Sequence, residues 1–362
     1  MNKSRIKKIK TILPGLLCKD RQELGLKYHG DLPGRLIRQI FQLFIAGGAL
    51  FLFAQTAPLP AQSEKLHVVT TTTDLAYLAQ QVAGDRAQVN ALIGGNIDPH
   101  YAQARPDYIV RLNRADVFVQ VGLELESGWV PPLLRSARNR DIMPGGRGYC
   151  DASVGIHVLE KPEQTISRSM GHLHPFGNPH YWTDPLNASI MARNIRDALI
   201  RVDPDGIEIY NRNYANLHES LKQLTLELTR NYAQLRGLQV AVYHKEFTYF
   251  THRFGMESAV SIEEKPGVVP SAAYLEEVVR TMQSRNIRLI LISPYNNPRY
   301  AEQVAERTGA RIVVMPLSTG SDPHVQTYPD TLRVMLQRIQ AALAEKNQQT
   351  YFVTPLQKST PT

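Results

Sequence analysis

The sequence predicts an α/β protein of two βα lobes, each on a parallel sheet, joined by one long helix. Three observations predict it. From residue 65 short β-rich runs alternate with amphipathic stretches. The same alternation restarts at residue 238. Between them a single apolar stripe runs unbroken over residues 204–236. Alternation of this kind is the pattern of βα units, which build parallel sheets.

In the first lobe, 66–71 reads as a strand and 74–82 as a helix, capped by Thr73 or Asp74 and stopped by Gly84. A strand over 89–93 follows, then a short helix over 106–113 with Pro106 at its start. Residues 117–121 are apolar apart from Gln120, as in a strand buried on both faces. Residues 141–179 are rich in Gly, Pro and polar side chains and read as loop, with strand character around 154–159. Helices over 185–201 and 204–236 follow. In the second of these, Tyr210, Tyr214, Leu217, Leu221, Leu224 and Leu228 recur at spacings of three and four, one helical face. Such a helix of ~30 residues spans ~45 Å.

The second lobe repeats the scheme: strands over 238–243, 258–262, 287–292 and 311–315, and helices over 247–253, 271–284, 298–307 and 328–344. The expected organisation is an N-terminal extension (1–61), an N-terminal lobe (62–203), a linking helix (204–236), a C-terminal lobe (237–346) and a loose tail (347–362).

Charge places the chain before chemistry does. The net charge of +8 is concentrated at one end: residues 1–61 hold ten Lys/Arg against three Asp/Glu, and the rest of the chain holds 31 against 30. The body therefore carries no electrostatic footprint for nucleic acid. The extension reads as an export signal. Arg35 and Arg38 precede an apolar stretch over 40–53, and Leu59-Pro60-Ala61 suits a signal peptidase. The stretch is shorter than the roughly 20 residues of a spanning helix; an uncleaved anchor is the alternative. The expected location is periplasmic or otherwise extracytoplasmic. Of the two cysteines, Cys18 lies in this extension and Cys150 is then alone, which excludes an intramolecular disulfide and a Cys-based zinc site.

Three histidines recur in one local context. His100 follows Asp98-Pro99 shortly after a strand, His180 follows Asn178-Pro179, and His244 ends the strand over 238–243. Ligands of α/β folds gather at the carboxyl ends of strands, where three imidazoles can converge on one ion. Imidazole suits zinc, copper, iron and nickel rather than calcium or magnesium. A lone histidine at a strand end is commonly a hydrogen-bonded structural residue; the agreement of three contexts and the prolines that restrain two of them argue for ligation.

These residues resemble the zinc and manganese solute-binding proteins of ABC importers. Asp98-Pro99-His100-Tyr101 with Pro106-Asp107 is similar to that family's first motif, and Gly122-Leu123-Glu124-Leu125-Glu126-Ser127-Gly128-Trp129 to its next segment. Asn178-Pro179-His180-Tyr181-Trp182-Thr183-Asp184-Pro185 is similar to its second ligand motif, and Tyr243-His244-Lys245-Glu246-Phe247 to its third. The likeness covers about residues 65–345. It implies a metal in the cleft between the lobes, held by His100 and His180 from the first and His244 from the second. The ion is Zn(II), carried as cargo, with Mn(II) disfavoured because it prefers more oxygen donors. It further implies a monomer whose partner is the importer's membrane permease, and limited lobe movement about a rigid helix. The chain departs from the family at the fourth ligand: Thr319 stands where an Asp is common. Asp322 is the candidate instead, with Glu263 or water as alternatives and turn capping as the other role for Asp322. His172-Leu173-His174 is all that remains of a His-rich loop, either an accessory metal trap or an incidental pair.

Three histidines and a water also describe a catalytic zinc site, so an exported hydrolase is the alternative function. No His-Glu-x-x-His helix or nucleophile elbow accompanies them. A metal-binding adhesin is a third reading. Glu124 and Glu126 are read as loop-shaping or solvated rather than as a catalytic pair.

Overall fold

The computed structural model describes residues 64–162, 174–265 and 267–344. The expected signal segment, Cys18, His172 and the tail over 347–362 lie outside them. The described residues belong to one compact unit.

Two four-stranded sheets, all parallel, carry the fold. The first comprises β1 (Leu66–Thr70), β2 (Ala87–Ala91), β3 (Val117–Gln120) and β4 (Tyr149–Asp151), in the order β2-β1-β3-β4. The second comprises β5 (Gln239–Val242), β6 (Glu257–Ser261), β7 (Leu289–Ile292) and β8 (Arg311–Val314), in the matching order β6-β5-β7-β8. Helices α1 (Thr73–Ala83), α2 (Pro106–Asn113), α3 (Val130–Ala137), α4 (Pro185–Val202) and α5 (Ile207–Asn231) precede the second sheet. Helices α6 (Thr248–Arg253), α7 (Ala272–Ser284), α8 (Arg299–Thr308) and α9 (Tyr328–Ala344) lie within or after it. The α/β class and the two parallel sheets are as the sequence predicts.

The strand residues divide by parity, because side chains alternate across a sheet. Val68, Val117 and Val119 face one core and Val69 and Phe118 another. In the second sheet Val240, Val242, Leu289, Leu291 and Val313 join the same core as Val68, while Ala241, Ile290, Ile292 and Ile312 face a separate one. One apolar core therefore runs continuously between the two sheets, and each sheet has a private core on its far side. Separating the sheets would expose this shared core, so burial opposes a wide hinge opening.

Four local expectations are corrected. The fourth strand is Tyr149–Asp151, paired with β3, and no strand forms over 154–159. The helix over 130–137 begins with Pro131-Pro132 in its first turn, where proline is tolerated, and the sequence reading assigns no helix there. The long helix is broken at both ends: Pro204–Gly206 and Ala233–Leu235 are 3₁₀ turns, leaving 25 residues of α5, or about 37 Å. It packs along α4 and α1, and α9 closes over α1 and α5, so α5 is one part of the link between sheets rather than a free strut. Lastly, α1 is capped by Thr72, because Thr73 and Asp74 are engaged elsewhere.

That engagement clamps the start of α1 to the loop after β8. Thr73 Oγ1 donates to the Thr319 carbonyl at 2.7 Å, and Asp74 Oδ1 accepts from Thr319 N–H at 2.9 Å and from its hydroxyl at 2.8 Å. Gly95 packs onto the same loop so closely that a Cβ there would stand 2.2 Å from the Thr319 carbonyl oxygen. Trp182 Nε1 donates to Leu317 O, and Tyr328 Oη to Trp182 O.

Asp74 is buried, and burial raises its carboxyl above the ordinary range against the hydrogen bonds from Thr319 and Ser318. A carboxyl raised in the folded state stabilises the fold while protonated, and that contribution is lost as pH rises through the folded value. Asp74→Asn keeps an acceptor for Thr319 but cannot ionise. Wild-type stability relative to Asp74→Asn is expected to fall as pH rises from about 4 to neutrality, measured as the difference in urea midpoints. A difference that stays constant with pH would show that Asp74 does not titrate in that window.

Candidate metal centre

The three histidines sit on loops at the carboxyl ends of the strands. His100 lies between β2 and α2, His180 between β4 and α4, and His244 two residues past the end of β5. The structure brings them together: each can present one ring nitrogen within 4.8 Å of the other two. Their ring centroids are 5.0–5.5 Å apart. Four nitrogens at tetrahedral zinc distances stand about 3.3 Å from one another, so a small inward closure completes the geometry.

Each ring is oriented from its outer side. His100 Nδ1 lies 2.8 Å from Asp98 Oδ1, which also accepts the His100 backbone N–H at 2.9 Å. His180 repeats the device with Asn178: Nδ1 and the backbone N–H both lie 2.9 Å from Asn178 Oδ1. Pro99 and Pro179 occupy the intervening position in each Asx turn, where fixed φ favours the bend. His244 Nδ1 lies 2.9 Å from Glu263 Oε2. Glu263 follows β6, which pairs with β5, and its backbone N–H continues that ladder to Tyr243 O. The two residues are therefore neighbours at equivalent strand ends.

These partners set the tautomers. Ionised carboxylates only accept. The Asn178 amide is fixed in orientation because its Nδ2 donates to Glu160 Oε2 and to the Lys245 carbonyl, both at 2.7 Å. In the neutral form of each ring the proton belongs on Nδ1, and the Nε2 lone pair is left for the cleft. His180 Nε2 is buried with no hydrogen-bond partner among the described residues. A buried acceptor without a donor is costly, and a cation at the convergence point satisfies it. The residues fit a metal.

Electrostatics agree. Burial, followed by the neighbouring His100, His244 and His174, holds His180 well below its ordinary value, so it stays neutral. Burial also acts to lower His244, but the Glu263 hydrogen bond and the carboxylates of Glu246, Glu263 and Asp98 outweigh it and raise the ring. Glu246 is buried and pushed up to about 7 by burial, and accepts from Tyr295 and Asn296. The site thus combines imidazole donors with a surrounding negative field that favours a divalent ion.

The fourth ligand expected from sequence stands apart from the histidines in this structure. Asp322 is not in the cluster. Its Oδ1 accepts from His324 N–H at 2.9 Å and its Oδ2 from Arg338 of α9 at 2.5 Å. Against burial, these two hold the carboxyl below its ordinary range. It caps a turn and pairs with a helix, and Thr319 beside it is consumed by Asp74. Asp322→Ala is expected to leave zinc affinity within about threefold while costing about 3 kcal/mol of stability through the stranded guanidinium; parallel zinc titration and urea unfolding check this. Glu263, the alternative ligand, acts on the outer nitrogen of His244. Glu126 is buried and ties Thr71 Oγ1, Val121 N and Gly122 N: it shapes the loop before Trp129.

The orienting roles of Asp98 and Asn178 escape the sequence reading, although the repeated Asp/Asn-Pro-His spacing carries the signal. His174 is the other residue it leaves undecided: its Nε2 lies 3.1 Å from His100 Nε2.

The sequence model of the periplasmic zinc-uptake complex component A, ZnuA, matches residues 68–342. The zinc-binding lipoprotein AdcA of Streptococcus pneumoniae (strain ATCC BAA-255 / R6) is 26% identical over 331 residues, 88% of this chain and 63% of AdcA; the chain thus spans less than two thirds of that relative's length. The high-affinity zinc uptake system protein ZnuA of Paracoccus denitrificans (strain Pd 1222) is 28% identical over 305 residues, 78% of this chain and 94% of the relative. A Mn-bound periplasmic metal binding protein from Candidatus Liberibacter asiaticus shares the fold, with a TM-score of 0.64 at 24% identity over 77% of this chain and 100% of that one. The family match begins in β1, ends in α9 and takes in both sheets and all three histidines, and on that extent the chain belongs to the ZnuA family of periplasmic zinc-uptake components.

Proposed function

We propose that the chain is an extracytoplasmic solute-binding protein that captures one Zn(II) ion and delivers it to the membrane permease of an ABC importer. The observation that carries this reading is the inward trio of imidazoles, each with its outer nitrogen already committed to a side-chain oxygen. Such a set supplies nitrogen donors at no cost of reorientation. Nitrogen donors favour zinc over manganese, which takes oxygen more readily. The named roles of AdcA and the Paracoccus ZnuA agree with zinc as cargo. Asp322 is withdrawn as a ligand, and His100, His180 and His244 remain.

The described cavity beside His174, His180 and His244 is about 80 Å³, below the roughly 300 Å³ and upward of sites for small organic ligands, which supports ion capture over the enzyme alternative. It accommodates an ion and a water or two. Export rests on the signal segment over 1–61. Among the described residues no helix is long and apolar enough to cross a membrane. The protein acts as a monomer, and the shared core between sheets directs release towards loop adjustments on docking rather than a wide opening.

The test has two arms. Calorimetric titration of metal-stripped protein should give one tight Zn(II) site and much weaker Mn(II) binding; absence of a single tight zinc site overturns capture. Proteoliposomes carrying the permease and its ATPase should take up zinc only when the protein is supplied. Uptake indifferent to it overturns delivery.

A further inference from the structure

We propose that His174 is the fourth ligand of the metal centre, so that the site is a four-imidazole tetrahedron and takes nothing from the loop after β8. This rests on the capture reading above and deepens it. The Nε2 atoms of His174 and His100 stand 3.1 Å apart, close to the ~3.3 Å edge of a tetrahedron of nitrogens about zinc. The two rings have centroids 5.2 Å apart, the same spacing as the His180 and His244 pair. His174 lines the same small cavity as His180 and His244. His174 stands outside the three-histidine cluster of the metal-free protein, its ring 6.4 Å from that of His180, and joins the shell by an inward movement of its turn.

His174 is placed there by built structure. Residues 174–177 form a β-turn in which Gly177 N–H donates to His174 O at 3.0 Å. Pro175 at the second position and Gly177 at the fourth suit a type I turn. Gly177 has φ +100°, and a Cβ there would stand 2.5 Å from Val158 and 2.8 Å from the Leu159 carbonyl. Next in the chain, Asn178 N–H donates to Leu159 O at 2.9 Å, and Asn178 is the residue that orients His180. The turn thus positions His174 by the same anchor that positions His180.

In the metal-free protein one of the two facing nitrogens must carry a hydrogen for the His100–His174 contact. A neutral His174 has only to hold its proton on Nδ1 instead for Nε2 to donate its lone pair to the ion. The other claimants to the fourth place are spoken for: Asp322 by Arg338 and His324, Thr319 by Asp74, and Glu263 by His244.

The test uses the full chain loaded with one equivalent of Zn(II), as wild type, His174→Ala and, for reference, Asp322→Ala. X-ray absorption counts imidazoles through their outer-shell scattering, and chelator competition reads affinity. The proposal expects four imidazoles in wild type and three in His174→Ala. It expects affinity in His174→Ala to fall by at least the roughly 10–100-fold that lost outer-shell partners cost, with Asp322→Ala at wild-type values. Three imidazoles in both wild type and His174→Ala, with equal affinities, overturns the fourth ligand while leaving the trio standing. Failure of wild type to bind zinc at all overturns the capture reading itself.

Discussion

Replacing His180 with alanine is expected to lower zinc affinity by more than about 100-fold, since outer-shell residues alone cost roughly 10–100-fold, and to abolish stabilisation by zinc. His180 is the innermost of the trio, 1% exposed, and its Nε2 is buried without a hydrogen-bond partner among the described residues. Alanine removes that nitrogen and leaves a void that water fills without a fixed donor. The consequence for stability follows by mass action: a ligand at 100 times its dissociation constant stabilises the native state by about 2.7 kcal/mol. At roughly 2–4 °C per kcal/mol for a domain approaching this size, zinc should raise the wild-type midpoint by about 5–10 °C. His180→Ala should show no rise at the same zinc concentration, and its metal-free midpoint should fall below that of metal-free wild type, because the Nδ1 bond to Asn178 and a buried ring are lost. Paired thermal scans with and without zinc make the measurement. An unaltered zinc shift in the variant would mean that the histidines do not share an ion.

Asp184→Ala is expected to be the most destabilising single change near the site, about 3–5 kcal/mol, the range for stranding one member of a buried ion pair. Asp184 is 4% exposed and does two things at once. Its Oδ1 accepts Leu186 N–H at 2.9 Å, capping α4 directly behind the His180 segment. It also pairs with Arg253 at the end of α6 through two bonds, Nε to Oδ1 at 2.8 Å and Nη2 to Oδ2 at 2.7 Å. The pair joins the segment that carries His180 to the helix that follows His244. Loss of the cap contributes about 1 kcal/mol, and the guanidinium, partly open to solvent, recovers some hydration, which keeps the total from exceeding the stated range. A fall in midpoint of about 10 °C corresponds to it. Asp184→Asn should lose less, because the amide oxygen still caps the helix. Denaturant unfolding of the two variants separates capping from pairing: equal losses would show that the ion pair alone matters. Because both histidine segments are held by this pair, zinc affinity should fall in Asp184→Ala as well, by less than in His180→Ala.

What the sequence alone determined is local. Strand and helix periodicity is set by neighbours within a few residues, so β1, β3, β5, β7 and β8 and the helices around them are legible, including their burial on both faces. The Asp/Asn-Pro-His spacing is local too: each proline restrains the histidine after it, and two candidate ligands are recognisable from that spacing. Position at a strand's end marked the third. What only the tertiary structure decided depends on segments far apart in the chain. Thr319 meets Asp74 across 245 residues, and this removes Thr319 from the metal and shifts the cap of α1 to Thr72. Asp322 stands within plausible reach of a site in sequence but lies against Arg338, one helix later. His174 faces His100 across 74 residues. The core shared by both sheets arises from the parity of each strand combined with how the sheets stack. Periodicity specifies which residues seek burial or ligands; the packing of distant segments decides which partner each one finds.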